Sequence, residues 1–277
     1  MKPRRLALIN RSSKSIPLGD LTAAAQALQI QIDRDFTPVW GAAATIAAFD
    51  PNAKLPAGTW PICIVDRPAG GLGIHLDRAH HPYAEIMATA DWTITASHEI
   101  LEMLVDPYGQ KLISAPDIDP DSDHHQVRYL VEVCDPCEMW SYVVKGLAVS
   151  DFVTPEYYNA HAASGTALDQ LGRLAEPLEV PRGGYISWID PADRRWHQKL
   201  PDGSFVRATI ATDPKRNPRD DRDHAFGDEA ARHDLPAILA ALAAKRGARA
   251  AAGARPARGR AAGIAARSGP RRTTRRA

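Results

Sequence analysis

Seventeen consecutive residues, DWTITASHEILEMLVDP from Asp91 to Pro107, restrict this chain more than any others do. The run has helix composition as far as Val105. Pro107 opposes continuation, because it lacks an N–H and crowds the turn before it. Ile94, Leu101, Leu104 and Val105 fall on one face, and His98, Glu102 and Asp106 on another. A helix patterned in this way buries one face in a core and turns a row of titratable groups towards one place.

Residues four apart on a helix lie about 40° around and about 6 Å along from each other. His98 and Glu102 therefore point the same way from successive turns, the geometry by which HExxH places two ligands on one zinc ion. Here a carboxylate holds the second position. Its oxygen binds zinc at nearly the distance of an imidazole nitrogen, and its charge makes the ion a weaker Lewis acid. Glu99 occupies the general-base position, where it would take a proton from an acidified water. Asp106 lies one turn further on, and a distorted helix end at Pro107 could bring it to the ion. Glu132 and Asp135 offer carboxylates from a separate segment for a third ligand. HExxE is less diagnostic than HExxH, since helices favour glutamate and Glu99 and Glu102 could be plain solvated residues.

Before this run, Arg5 to Ile9 reads as a strand, and Asp20 opens a helix expected to end before Pro38. Ala43–Phe49 and Trp60–Val65 read as strands, as do Leu72–Leu76 and Tyr83–Thr89 around a turn near His80-His81-Pro82. After it, residues 108–128 read as a polar loop, Tyr129–Val133 as a strand and Ser141–Val149 as a hairpin around Gly146. Gly183–Ile189 is a further strand, and Trp196–Thr209 alternates around the turn Pro201-Asp202-Gly203. Residues 1–212 are thus expected to form one domain, 213–244 a charged linker with a short helix over Leu235–Ala244, and 245–277 a disordered tail.

Charge separates the tail from the rest. Lys245 to Ala277 holds 11 of the 34 basic residues and no acid, which leaves 23 basic residues against all 33 acidic ones in 1–244. The tail is mostly Ala, Gly, Arg and Pro and has too little to bury to offset the cost of ordering. Arg255, Arg258, Arg260, Arg271, Arg272, Arg275 and Arg276 would neutralise phosphates without sequence choice. No aromatic residue is present there for base stacking. Hydrophobic residues make up 44% of the chain, enough for a sizeable core. No apolar run approaches the roughly 20 residues of a membrane helix, and the apolar stretch after the basic start is too short for a secretory signal. Three cysteines, Cys63, Cys134 and Cys137, are too few for a disulfide scaffold. A cytoplasmic protein is expected.

Taken together, Thr95–Pro107 with its SHExxExxxDP pattern and Glu132-Val133-Cys134-Asp135-Pro136-Cys137, an E[IV]xDxC pattern, resemble a widespread group of bacterial proteins. The pair is similar to that of the plant phosphate-induced (EXORDIUM-like) family and looks like a zincin-type metallopeptidase signature. Nearer bacterial relatives also share Val149–Pro155 and Pro181–Tyr185, so the resemblance covers roughly residues 25–190. It implies an α+β (or α/β) zincin-like fold: a mixed sheet with the HExxE helix beneath it, an edge strand at Tyr83–Thr89 beside the substrate cleft, and β-rich segments after it. It further implies ligation of one divalent metal, with zinc the expected ion, by His98 and Glu102, with Glu99 as base. Asp106, Glu132 and Asp135 stay open as the third ligand. The expected activity is hydrolysis of a peptide or amide bond.

Other features have plainer readings beside the functional one. Cys134-x-x-Cys137 is half a zinc site or a redox pair, or two buried thiols beside a functional Asp135. The string Asp117, Asp119, Asp121, Asp123 has calcium-loop spacing but lacks the glycine at its sixth position and the glutamate at its twelfth; a solvated acidic loop is the simpler account. His75, His80, His81 and Tyr83 lie ahead of the helix and are open to line a cleft. Two rivals to the hydrolase remain: a non-catalytic metal-binding or structural protein, and a nucleic-acid-associated protein targeted by its basic tail.

Overall fold

The computed structural model describes residues 3–226 apart from His124. The tail, its arginines and the helix expected over Leu235–Ala244 lie outside these residues. The architecture is mixed α/β, with more strand than helix. Among the described residues no helix is long and apolar enough to cross a membrane.

The first sheet contains β1 (Arg4–Asn10), β2 (Ala44–Phe49), β3 (Thr59–Val65), β4 (Gly73–Arg78) and β5 (His81–Met87), in the order β2-β1-β3-β5-β4. β1 pairs in parallel with β2 and β3, and β3 in parallel with β5. A strand held between two parallel neighbours has little access to water, which is why Leu6, Ala7, Leu8 and Ile9 are buried in succession. β4 runs antiparallel to β5 and forms an edge. Ala79 and His80 make the turn between them, both at positive φ, as a two-residue hairpin turn demands. The edge strand is therefore Gly73–Arg78, not the expected Tyr83–Thr89, which lies one place further in.

Helix α1 (Leu18–Ile30) crosses from β1 to β2 and runs on through a π-helical stretch, Gln31–Phe36, into the short helix α2 (Thr37–Trp40). It was expected to stop before Pro38. That proline instead sits in the first turn of α2, where its missing N–H has no partner to lose. Helix α3 (Trp92–Val105) packs against β3, β4 and β5, and against β9 of the hairpin β8 (Ser141–Val144) and β9 (Leu147–Ser150).

The second sheet is antiparallel throughout. It holds β6 (Leu112–Pro116), β7 (Gln126–Leu130), β10 (Ile186–Asp190), β11 (Arg195–Lys199) and β12 (Phe205–Ala211), ordered β12-β11-β10-β7-β6. β6 lies within the span read from sequence as a polar loop. Trp188 and Tyr129 from this sheet join the main core, while Leu130, Ile189 and Trp196 form a smaller cluster with Phe226. Phe226 belongs to α4 (Pro218–Phe226). Residues 213–226, read as the start of a charged linker, thus pack on the second sheet. Trp196 Nε1 donates to Asp221 at 2.9 Å, and the Arg219 N–H donates to the Gly109 carbonyl at 3.0 Å. Part of the charge that suggests a linker in the sequence is taken up in internal bonds, at Asp221 and at Arg222 with Glu132.

Candidate metal centre

Ser97 sets the register of α3. Its hydroxyl donates to Gln31 Oε1 at 2.7 Å and accepts from the Ser150 N–H at 3.0 Å, while Gln31 Nε2 donates to the Ser150 carbonyl at 2.9 Å. This fully buried polar knot ties α3 to β9 and to the π-helical end of α1. It fixes where the next residue, His98, must point.

His98 Nε2 lies 3.3 Å from Glu102 Oε1 and 3.1 Å from Asp135 Oδ1. Asp135 is brought there by a 3-10 turn, Asp135–Cys137, that follows β7. The Cys134 N–H donates to Glu102 Oε1 at 3.1 Å and holds that turn against α3. Zinc bonds of about 2.0–2.2 Å at tetrahedral angles place ligand atoms roughly 3.3–3.6 Å apart. Two sides of that triangle, from His98 Nε2 to each oxygen, are already near this spacing, and all three atoms lie within 4.8 Å of one another, so the donor set fits a divalent ion.

A second donor set adjoins the first. His75 Nδ1, from β4, lies 3.2 Å from Glu99 Oε2 and 3.7 Å from Glu102 Oε2. Glu102 therefore offers one oxygen to each histidine. His75 Nε2 faces the Asp106 carbonyl at 3.3 Å, which fixes the ring. Gly73 lets β4 come this close: a Cβ there would lie 2.5 Å from the Thr95 methyl and 2.9 Å from Glu99 Oε1.

Burial dominates the electrostatics. It pushes Glu99 well above the usual carboxylate range; His98 opposes this, and the charges of Glu102 and Asp135 add to it. Burial, then Glu102, carries Asp135 up to about 7 against its bond with His98. Glu132 rises to about 8 through burial, offset in part by Arg222. For His98 burial works against the charged ring, but Glu102 and Asp135 outweigh it and raise its pKa well above the ordinary value. His75 moves the other way, well below it, through burial and the charge of Arg219. Burial thus raises the three carboxyl groups first and their mutual repulsion adds to it, while at His98 the same crowd of carboxylates overcomes burial.

The expected candidates divide clearly. His98, Glu99, Glu102 and Asp135 converge. Asp106 does not: both its oxygens accept backbone N–H bonds, from Gln110 at 2.9 Å and Lys111 at 2.8 Å. It closes the helix end because Pro107 leaves the following turn in need of an acceptor. Glu132 borders the same cleft but ion-pairs with Arg222. Cys137 is a free buried thiol and stands in none of the metal-capable groups among the described residues; Cys134 is likewise free and buried. His80, His81 and Tyr83 do not line the cleft. His75 belongs with the second donor set, which no spacing rule could reveal, since β4 and α3 meet only in the fold.

The acidic string has its own cation. His125 lies 2.7 Å from Asp190 and 2.5 Å from Asp123, and these bonds, Asp190's first, raise its pKa to about 9. Asp117 and Asp119 accept N–H bonds from Asp119 and Asp121, which shapes the loop from within.

His98 and Glu102 of the first donor set and all three residues of the second line a cleft of about 460 Å³, walled by β4, α3 and α4; Asp135 lies behind them and does not line it. Compared with protein-family models, with curated proteins and with solved structures, the chain matches none.

Proposed function

We propose that this chain is a metal-dependent hydrolase of the zincin type that cleaves a peptide or amide bond, with zinc held by His98, Glu102 and Asp135. One observation carries the reading: Glu99, Glu102 and Asp135 are buried together and Glu132 is nearly so, Glu99, Glu102 and Glu132 line one cleft, and Arg222 is the only Arg or Lys among the described residues that ion-pairs with any of the four. Buried charges are paired or bind metals. His98 and Glu102 of the donor set also line the cleft, as a catalytic site requires and a structural one does not.

A divalent ion there supplies a Lewis acid that acidifies water and polarises a carbonyl. The chain's own residues do the rest. An extended substrate laid along the free edge of β4 would gain main-chain hydrogen bonds and pass over α3. Glu99, with its raised proton affinity, takes a proton from the attacking water and delivers it to the leaving nitrogen. His75 positions Glu99 through the 3.2 Å contact.

Elemental mass spectrometry tests this first. Near one equivalent of metal is expected, lost in His98→Ala and in Glu102→Ala. Glu99→Gln should keep the metal and lose on the order of 10²–10⁴ in peptide cleavage. A wild-type protein that takes up neither zinc nor manganese sinks the proposal. The shared Glu102 favours one variant reading, a two-metal centre with His75 and Glu99 as ligands. Two equivalents, one of them lost in Glu99→Gln, would identify it.

A further inference from the structure

The cleft is lined by a guanidinium whose charge is felt by Glu132 but two of whose nitrogens make no hydrogen bond among the described residues. Arg219, in α4, is 3% exposed and lines the cleft, yet its Nε and Nη1 are buried with no hydrogen-bond partner among the described residues. Its neighbour one turn on, Arg222, bonds Glu132 and Asp223. The two arginines therefore differ in kind: one is committed to the protein, and the other is held ready.

It is held firmly. The Arg219 N–H donates to the Gly109 carbonyl, and its side chain lies so close over Gly109 that a Cβ there would sit 2.6 Å from Arg219 Cβ and 2.8 Å from Nε. Gly109 is in turn fixed by the loop that Asp106 caps. A guanidinium binds a carboxylate through paired N–H groups on one edge, either Nε with Nη2 or Nη1 with Nη2. Both edges of Arg219 carry an unsatisfied nitrogen. A buried guanidinium is costly to leave unpaired, so its natural partner is an anion that arrives with the ligand.

We propose that Arg219 recognises a carboxylate on the substrate, so that the cleft selects peptides or amides bearing a free carboxylate beside the bond to be cut. This rests on the metallohydrolase reading for the reaction, but not for the binding. The carboxylate has two chemical sources, the end of a peptide chain or an acidic side chain. A cleft of about 460 Å³ suits a few residues of substrate in either case.

The test is calorimetric binding to the full-length, zinc-loaded protein, with metal content measured beside it. Three probes share one short N-acetylated sequence: one with a free terminal carboxylate, one with a terminal amide, and one amidated but carrying an internal glutamate. At least one carboxylate probe should bind about tenfold or more tighter than the plain amide. Which one does so identifies the source. Arg219→Gln should abolish the preference while metal content and affinity for the plain amide stay unchanged. Arg219→Lys keeps the charge without the fork and should recover only part of it. Equal binding of all three probes, or binding of none, overturns the proposal, and the wild-type comparison decides this without any variant. A preference that survives Arg219→Gln but vanishes when zinc is removed places the carboxylate on the ion and overturns it too. Loss of metal in His98→Ala is a separate readout, so failure of the metal centre and failure of this inference remain distinguishable.

Discussion

Asp151 is fully buried beside Asp169, and its behaviour follows from counting donors. Its Oδ1 accepts the Phe152 N–H at 2.9 Å, while Oδ2 has no hydrogen-bond partner among the described residues. Asp169 is itself an acceptor, taking N–H bonds from Arg173 and Leu174. Two facing acceptors can bond only if one keeps a proton. Burial first, then the contact with Asp169, raises Asp151 to about 8 and makes it the keeper. The unfolded chain releases that proton near pH 3.9. The folded state thus binds a proton the unfolded state has lost, and this contribution to stability is complete below about pH 4 and gone once pH passes 8. Asp151→Asn keeps the shape, offers Asp169 a permanent N–H donor and has nothing to titrate. Its melting temperature relative to wild type should rise between pH 5 and pH 8.5 by a few degrees, at about 2–4 °C per kcal/mol for a fold of this size. A difference that does not change with pH would refute the shared proton. Residue roles were legible only where spacing encodes them. The helical period placed His98, Glu99 and Glu102 together, but Asp106 shares that face and was drawn instead into capping the loop after Pro107. His75, 23 residues before His98, carries no local signal of any kind.

At the level of elements, the approach of one backbone to another holds the centre in place. Gly184 packs on the turn that presents Asp135: a Cβ there would lie 2.1 Å from the Pro136 oxygen and 2.7 Å from its carbonyl carbon. The Tyr185 N–H then donates to the Asp135 carbonyl at 3.1 Å. Backbone atoms cannot swing aside as a side chain can, so Gly184→Ala should cost about 1–3 kcal/mol by overpacking. It should also weaken metal retention, because the turn it displaces carries a ligand. Gly19→Ala is the control, since its Cβ would meet nothing within 4 Å. If the two variants melt alike and hold metal alike, the packing argument fails. Elements with a strong period were readable in advance, among them α3 and the β8–β9 hairpin. β6 was not, because Leu112–Pro116 pairs with β7 across a loop of acids and its strand character comes from that partner rather than from its own pattern. The edge position of β4 was also hidden, since sheet order is decided by pairings between distant segments.

Across the whole molecule, charge that looks like solubility in the sequence is partly structural. Asp213–Asp223 is nearly free of apolar residues, yet Arg219, Arg222 and Asp223 line the cleft. Asp221 accepts from Trp196 and from the Asp213 N–H, Arg222 pairs with Glu132, and Phe226, just beyond, joins the small cluster of Leu130, Ile189, Trp196 and Ala208. Two truncations separate this segment from the basic tail. A chain ending at residue 244 keeps every described contact and should match the full chain in melting temperature and metal content. A chain ending at residue 212 loses the partner of Glu132 and uncovers Trp196 and Ile189, and it should melt lower and bind peptide carboxylates no better than amides. The tail tests in the same experiment. If its 11 basic residues act on phosphates, the full chain should bind duplex DNA with an affinity that falls steeply as salt rises, and the chain ending at 244 should not. Equal DNA binding by both chains would deny the tail that role. Equal stability of the 212 and 244 chains would show that α4 is an appendage, and would remove the structural ground for placing Arg219 in the cleft.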